Sequence, residues 1–206
     1  MKEIVAKKSS TPALAPDPVD ALAASDGVIA FSTDTVYGLG ARLDRPAALA
    51  RIFALKGRDE RKPLTLLGAS AESFEPYIQP PPAQARRLMA DHWPGALSLV
   101  FDKTDLTPDA VTRGEPTVSC RVADCESLRA LLRRLPGGVL ATTSANVSGK
   151  PPCLTAKSVR DAFGDALPVW GDDAEIATAQ PSTVARVYAD GAIEILRPGP
   201  VALTSG

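Results

Sequence analysis

Residues 27–40 read GVIAFSTDTVYGLG, a short apolar run followed by a segment rich in hydroxyl side chains. The run 27–31 has the length and composition of a buried strand. A loop after such a strand can present hydroxyls and backbone N–H groups to a ligand. The segment is not a dinucleotide fingerprint, because Leu43 stands where the third glycine is required. We therefore predict a strand followed by a candidate binding loop, with a plain polar turn as the alternative.

Outward from this segment, short apolar runs alternate with stretches of helical periodicity. Helices are predicted at 18–25, 46–55, 82–91, 127–135 and 155–163. Strands are predicted at 64–67, 96–101, 117–122 and 138–142, with a late hairpin formed by 182–187 and 192–196. Together these elements predict one α/β domain with a mixed sheet over residues 18–203, preceded by an N-terminal tail over residues 1–17.

Composition and charge exclude several classes of protein. The chain of 206 residues carries 23 Lys and Arg against 24 Asp and Glu, so any basic site must be local. Its apolar runs are too short for a transmembrane helix, and its start lacks a secretory signal pattern. The three cysteines have no CxxC spacing, which disfavours a disulfide framework or a structural zinc site. We expect a cytoplasmic protein without membrane association.

A dense basic segment, residues 56–63, reads KGRDERKP and directly follows a predicted helix. Cations are common at helix C-termini because they complement the helix dipole, and that is the simpler interpretation. The four Lys and Arg side chains of this segment are so close that they repel one another unless an anion is present. Arg offers a planar fork and Lys a point charge, a combination that suits phosphate oxygens. We therefore favour a phosphate site here.

Two further stretches carry polar side chains on or after predicted strands. Residues 142–151 read TTSANVSGKP, which is not a P-loop because Ser144 replaces its first glycine. A helix-capping cluster or an Asx turn is the alternative to a binding loop there. On the strand at 117–122, Thr117, Ser119 and Arg121 share one face because strand side chains alternate. An inward-facing Arg beside hydroxyls suits a carboxylate ligand, with a structural ion pair as the alternative.

The residue types that are scarce in this chain limit the kinds of catalytic site that it can form. The only histidine, His92, lies in a DHWPG segment that has the pattern of a helix terminator. A histidine-based triad or a His/Cys/carboxylate metal cluster is therefore not expected. A site rich in Lys, Arg, Ser, Thr and Asn, with few general bases, indicates phosphoryl or nucleotidyl transfer. In such chemistry, positioning and charge stabilisation account for most of the catalysis.

In this order, the motifs resemble those of the YrdC/TsaC family, the threonylcarbamoyl-AMP synthases. The matching stretches are STDTVYGLGA at 32–41, LKGRDERKPL at 55–64, DHWPGALSLVF at 91–101, TVSCRV at 117–122, SANVSGKPP at 144–152, PSTV at 181–184 and ILRPG at 195–199. The resemblance implies an α/β fold with an open twisted mixed sheet, flanked by helices, and a large positively lined cavity. It also implies a nucleotidyltransferase that makes threonylcarbamoyl-AMP and pyrophosphate from L-threonine, bicarbonate and ATP.

The resemblance implies a role for each matching residue. ATP-binding positions are Arg58, Lys62, Thr117, Asn146 and Arg197, and threonine-binding positions are Thr35, Arg121, Ser144 and Ser182. Lys56 and Arg58 would stabilise developing charge, and no side chain is assigned as a general base. Mg²⁺ would arrive with ATP, held mostly by substrate and water and by no ligand from the protein.

The resemblance also has departures and alternatives. Leu67 stands where family members with an appended domain have a histidine near threonine. The expected partners are a downstream threonylcarbamoyl-transferase complex and tRNA or another RNA. The main alternative is a non-catalytic, ribosome-associated or RNA-binding module that uses the same basic cavity. Two further alternatives are a related family branch without this activity and carbamoyl transfer, as in hydrogenase-maturation proteins.

Overall fold

The computed structural model describes residues 17–57, 62–164 and 167–203. Within these residues a nine-stranded sheet is flanked by six α-helices. The strands are β1 Ile29–Phe31, β2 Gly38–Ala41, β3 Thr65–Gly68, β4 Leu97–Asp102, β5 Thr117–Arg121, β6 Val139–Ser144, β7 Val169–Trp170, β8 Thr183–Val187 and β9 Ile193–Arg197. Their spatial order is β7-β1-β2-β6-β3-β5-β4-β8-β9. Three neighbouring pairs are parallel and the others antiparallel, which confirms the predicted mixed sheet.

The helices begin and end where capping chemistry places them. They are α1 Pro18–Ala23, α2 Pro46–Lys56, α3 Ala83–His92, α4 Asp109–Thr112, α5 Glu126–Arg133 and α6 Ala156–Phe163. α2 has a proline in its first turn and ends at Gly57, whose left-handed φ of 54° suits a residue without a Cβ. α6 starts with a capping box between Thr155 and Ser158. Among the described residues, no helix is both long and apolar enough to cross a bilayer.

The five helices and the strands predicted above are present with boundary shifts of a few residues, but the sequence did not predict α4, β2 or β7. β2 lies within the segment that we expected to be a loop. Gly38 and Gly40 indicate a flexible turn by composition, yet they pair with β1 on one side and β6 on the other. The ring of Phe31 lies over both glycines, where a Cβ would come within 2.8 Å and 2.7 Å of its carbons. These glycines therefore make room for Phe31 and do not break the strand.

The two faces of the central strands differ in chemistry. One face buries apolar side chains such as Leu66, Leu99 and Cys120 in the larger hydrophobic core. Residues one position away point to the opposite face, because strand side chains alternate. There Thr65 lies beside both Ser119 and Thr142 in the sheet register. A hydroxyl-rich surface is therefore available at the centre of the sheet.

The hydroxyl-rich face is closed at one end by a second hydrophobic cluster. Leu67 and Leu140 from the sheet pack there with Phe31 and with the apolar side of α5. The helix contributes Leu128, Leu131 and Leu132, which are all 1% exposed, in agreement with its predicted amphipathic pattern. The site described below lies beyond this cluster, on the part of the face that remains polar.

Replacing Gly40 by alanine should destabilise the fold because the new methyl group would overlap the Phe31 ring. We expect Gly40→Ala to lower the free energy of unfolding by about 1–3 kcal/mol, the usual cost of overpacking a core. Urea denaturation would measure it. The double variant Phe31→Leu/Gly40→Ala should lose less than the sum of the two single changes. Additive losses would contradict the packing argument.

Candidate active site

A cavity of about 290 Å³ opens on the polar face of the sheet. Its lining comes from the loop after β1, the end of α2, the loop after β6, and the start of β8. The charged residues in this lining, Lys56, Lys62, Arg121 and Arg197, are all cationic. The volume is near the lower end of typical ligand sites, roughly 300–1,000 Å³, so the large size expected for the cavity stays a prediction.

Arg121 is the most constrained of these cations. It is 5% exposed at the end of β5, and burial lowers the pKa of its guanidinium while Asp34 opposes that effect. Its Nε donates to the carbonyl of Gly95 over 2.8 Å, and its Nη1 donates to the Thr35 hydroxyl over 2.9 Å. Its Nη2 donates to the Asp34 carboxylate over 2.5 Å. The inward-facing arginine predicted from strand alternation is thus confirmed, and it forms an ion pair with Asp34.

The loop after β1 is held by its own hydroxyls. Thr33 Oγ1 accepts hydrogen bonds from the backbone N–H groups of Thr35 and Val36, both over 3.1 Å. The same hydroxyl donates to the carbonyl of Val36 over 2.6 Å. The loop is buried, so these bonds satisfy groups that water does not reach. They fix the Thr35 side chain beside Arg121.

Lys56 joins the basic segment to the loop after β6. It is 3% exposed in the last turn of α2 and donates to the carbonyl of Ser144 and, over 2.9 Å, to Asn146 Oδ1. The Ser144 hydroxyl donates to the same Asn146 oxygen over 2.6 Å. Asn146 Nδ2 in turn donates to the carbonyl of Lys150 over 2.8 Å. Lys56 is therefore a buried cation at the cavity wall. A lysine that only complements a helix dipole would not need to be buried there.

Arg197 and Ser182 lie together at another part of the cavity wall. Arg197 Nη2 donates to the carbonyl of Ser182 over 2.7 Å and approaches its hydroxyl at 3.2 Å. The Ser182 hydroxyl is also 2.8 Å from that of Ser98. Partial desolvation and the charge of Arg121 lower the pKa of Arg197. The positive charges of Arg121 and Arg197 repel each other. An anion bound in the cavity is favoured because it reduces this repulsion.

Eight of the predicted site residues line this one cavity, namely Thr35, Lys56, Lys62, Arg121, Ser144, Asn146, Ser182 and Arg197. Thr117 is not among the lining residues, because it begins β5 whereas Arg121 ends it. Arg58 lies outside the described residues. Ser98 also lines the cavity and was not predicted to do so. The signal was present, since Ser98 is a buried serine within the otherwise apolar run LSLVF.

An acidic segment, residues 171–178, lies against the loop after β1 and is called the strap here. The backbone N–H groups of Ala177 and Thr178 both donate to the carbonyl of Asp34. Asp173 accepts from the Tyr37 hydroxyl over 2.6 Å and from the first N–H of α6 over 2.7 Å. Glu175 accepts from the Ser32 hydroxyl over 2.9 Å. The strap therefore supports the same loop that holds Arg121.

Glu175 also binds the start of α5. It accepts from the Ser127 hydroxyl over 2.6 Å and from the Ser127 N–H over 3.2 Å. Burial alone would raise the pKa of Glu175, but the hydrogen bonds from Ser127, Ser32 and Cys125 outweigh burial and lower it. The strap therefore depends on the ionised carboxylate of Glu175, which accepts these hydrogen bonds.

Comparisons with known proteins identify chains of similar sequence. The family model Sua5_yciO_yrdC, described as "Telomere recombination", matches residues 21–199. A threonylcarbamoyl-AMP synthase of Chromohalobacter salexigens is 40% identical over 169 residues, covering 80% of this chain and 89% of the relative. One of Idiomarina loihiensis is 34% identical over 77% of this chain and 86% of its own.

A solved structure agrees in fold. The crystal structure of P. abyssi Sua5 complexed with L-threonine superposes with a TM-score of 0.79 and 34% identity. The match covers 88% of this chain and 53% of that protein, so the chain spans about half of its length.

Removing the Glu175 charge should weaken the fold in a pH-dependent way. Because the folded-state pKa lies below the usual 4.5, the carboxylate contributes stability above that pH and loses it as the pH falls toward the folded value. Glu175→Gln should therefore cost about 1 kcal/mol at neutral pH, and the difference from wild type should shrink below pH 4.5. Urea denaturation across pH 3–7 would measure it.

Glu115→Gln, at an exposed position, is the matched control and should show no such trend. A constant difference between Glu175→Gln and wild type over the whole pH range would contradict the role of the charge.

Proposed function

The chain belongs to the Sua5/YciO/YrdC family, and from that premise we propose that it is an L-threonylcarbamoyladenylate synthase. It converts L-threonine, bicarbonate and ATP to threonylcarbamoyl-AMP, pyrophosphate and water. It is thus a nucleotidyltransferase whose product supplies the threonylcarbamoyl group for tRNA modification. The observation that carries the proposal is a pair of buried cations, Lys56 and Arg121, on one cavity whose lining includes no acidic side chain among the described residues.

On the threonine side, Arg121 is the group that binds the carboxylate of the amino acid. A guanidinium with a planar fork of donors matches a carboxylate in geometry and charge. Thr35 lies beside it, and the hydroxyls of Ser144 and Ser182 lie on the same cavity. These hydroxyls provide hydrogen-bonding partners for the polar groups of threonine. Leu67 adds an apolar contact where family members with an appended domain are expected to have a histidine.

On the nucleotide side, the cations bind phosphate oxygens. Lys56 is fixed by Ser144 and Asn146, and Lys62 lies at the rim of the cavity. Arg58, which follows Lys56 by two positions, completes the basic segment. Arg197 and Asn146 are the other proposed nucleotide contacts, and Thr117 is retained on the family resemblance alone.

In this proposal, magnesium enters as part of the ATP substrate. The described cavity lining offers cations, hydroxyls and an amide, a donor set that suits phosphates better than a metal ion. The ion would therefore enter bound to phosphate oxygens and water. The protein residues would bind the remaining phosphate oxygens.

The proposed reaction has two steps. The neutral amine of threonine attacks CO₂ derived from bicarbonate, forming a carbamate after loss of a proton. A carbamate oxygen then attacks the α-phosphorus of ATP, and the bond to the β-phosphate oxygen breaks to release pyrophosphate. The chain contributes by holding both substrates together and by placing cations where negative charge accumulates.

The buried thiols are poorly suited to this chemistry. Burial raises the pKa of Cys125 to about 11, and burial also raises the pKa of Cys120 well above its usual value. Both thiols therefore remain protonated near pH 7 and are weak nucleophiles. This agrees with a mechanism that depends on positioning and charge.

The alternative of a non-catalytic RNA-binding module is not favoured, because the curated relatives are named as synthases. RNA or tRNA binding, a downstream threonylcarbamoyl-transferase complex and a cytoplasmic location are further parts of the proposal. The net charge of −1 gives no broad basic surface to support the RNA contact.

The proposed function predicts pyrophosphate release that requires all three substrates. The purified protein with Mg²⁺-ATP, L-threonine and bicarbonate should release pyrophosphate in a coupled phosphate assay. Omitting either threonine or bicarbonate should stop the release. Release that continues without threonine would indicate a different acceptor, and no release with all components would refute the proposal.

Two arginine variants should separate the substrates. We expect Arg121→Ala to raise the KM for threonine, and Arg58→Ala the KM for ATP, with kcat/KM falling about 10- to 100-fold as one charge-assisted contact is lost. Arg134→Ala, at an arginine whose side chain is 49% exposed, is the matched control and should keep wild-type kinetics. Equal effects of either variant on both substrates would contradict the assignment.

A further inference from the structure

Asp34 is a buried carboxylate that contacts the cavity wall without belonging to it. Its side chain is 9% exposed, and it accepts a hydrogen bond from Arg121 Nη2 over 2.5 Å. Its neighbours Thr33, Thr35 and Val36 line the cavity, whereas Asp34 is absent from the lining. Asp34 can therefore affect a bound ligand through Arg121 more readily than by direct contact.

The hydrogen bonds of Arg121 leave part of its donor set available. A guanidinium has five N–H groups, one on Nε and two on each Nη. Gly95, Thr35 and Asp34 each take one, from three different nitrogens. One N–H on each Nη remains without a partner among the described residues. Each of these N–H groups can donate to a carboxylate oxygen, and arginine binds carboxylates through such donors.

Asp34 is itself held on its backbone side. Its carbonyl accepts two hydrogen bonds from the strap, 2.9 Å from Ala177 N and 3.2 Å from Thr178 N. Its side chain and its main chain are thus fixed by different elements. The strap, Asp34 and Arg121 form a continuous chain of contacts that ends at the cavity.

We propose that Asp34 is a positioning residue for the amino acid substrate. It holds the Arg121 guanidinium in the rotation that presents its two remaining Nη–H groups to the threonine carboxylate. This inference rests on the proposed function, because it assumes that Arg121 binds that carboxylate. Without Asp34, Arg121 keeps its bonds to Gly95 and Thr35 but loses the acceptor that orients Nη2.

The test compares steady-state kinetics of pyrophosphate release for wild type, Asp34→Ala and Asp34→Asn. Asp34→Ala should raise the KM for threonine about 10- to 100-fold, the size expected for one charge-assisted contact, and leave the KM for ATP within about twofold. Asp34→Asn retains an acceptor oxygen for Nη2 and should stay within about fivefold of wild type. Asp44→Ala, at a carboxylate that pairs with Arg42, is the matched control and should match wild type.

A double-mutant cycle tests whether Asp34 acts through Arg121. If it does, Asp34→Ala should have little further effect on the KM for threonine in an Arg121→Ala background, so the two losses should be strongly non-additive. A merely structural role would raise the KM for threonine and ATP together. Thermal melts of each variant identify any that fail to fold, and Asp34→Asn then decides the question because it preserves shape.

The outcomes separate this inference from the proposed function. No turnover by wild type would refute the proposed function and the inference with it. Wild-type turnover with an unchanged threonine KM in Asp34→Ala would overturn the inference alone. Additive losses in the cycle, equal rises in both KM values, or an Asp34→Asn variant as impaired as Asp34→Ala would also overturn it.

Discussion

A guanidinium that is 5% exposed at the end of a central strand is the constraint around which the site is arranged. Removing such an ion from water costs several kcal/mol unless its hydrogen bonds and its charge are matched. The carboxylate of Asp34 matches the charge of Arg121, and Asp34, Thr35 and the carbonyl of Gly95 accept its hydrogen bonds. The elements that supply these acceptors must therefore stay in place for the strand to keep its arginine buried.

Other features of the fold keep the acceptors of Arg121 in place. The strap holds Asp34 by its carbonyl, and Tyr37 and Ser32 bind the strap in return. At another part of the cavity wall, Lys56 is fixed in the same way by a carbonyl and an amide oxygen of the loop after β6. A site with two fixed buried cations needs little rearrangement when an anionic substrate enters, which is the physical basis of catalysis by preorganised charge.

The sequence predicted much of this arrangement and missed the rest for physical reasons. Strand alternation correctly turned Arg121 inward, because it depends only on local geometry. β2 was missed, since the need for glycine arises from the ring of Phe31 on the paired strand β1, and local composition does not show that contact. Asp34 was not assigned a role because its partner is 87 positions away in the chain. Thr117 shares a face with Arg121, yet the length of the strand separates it from the cavity lining.

In the proposed reaction, the carbon of bicarbonate becomes part of an adenylate together with threonine. The most direct measurement is mass spectrometry of the reaction products formed with ATP, L-threonine and ¹³C-labelled bicarbonate. We expect a threonylcarbamoyl-AMP species whose mass rises by the one added neutron when the label is used. An AMP or ADP product without threonine, or an adenylate whose mass is unchanged by the label, would contradict it.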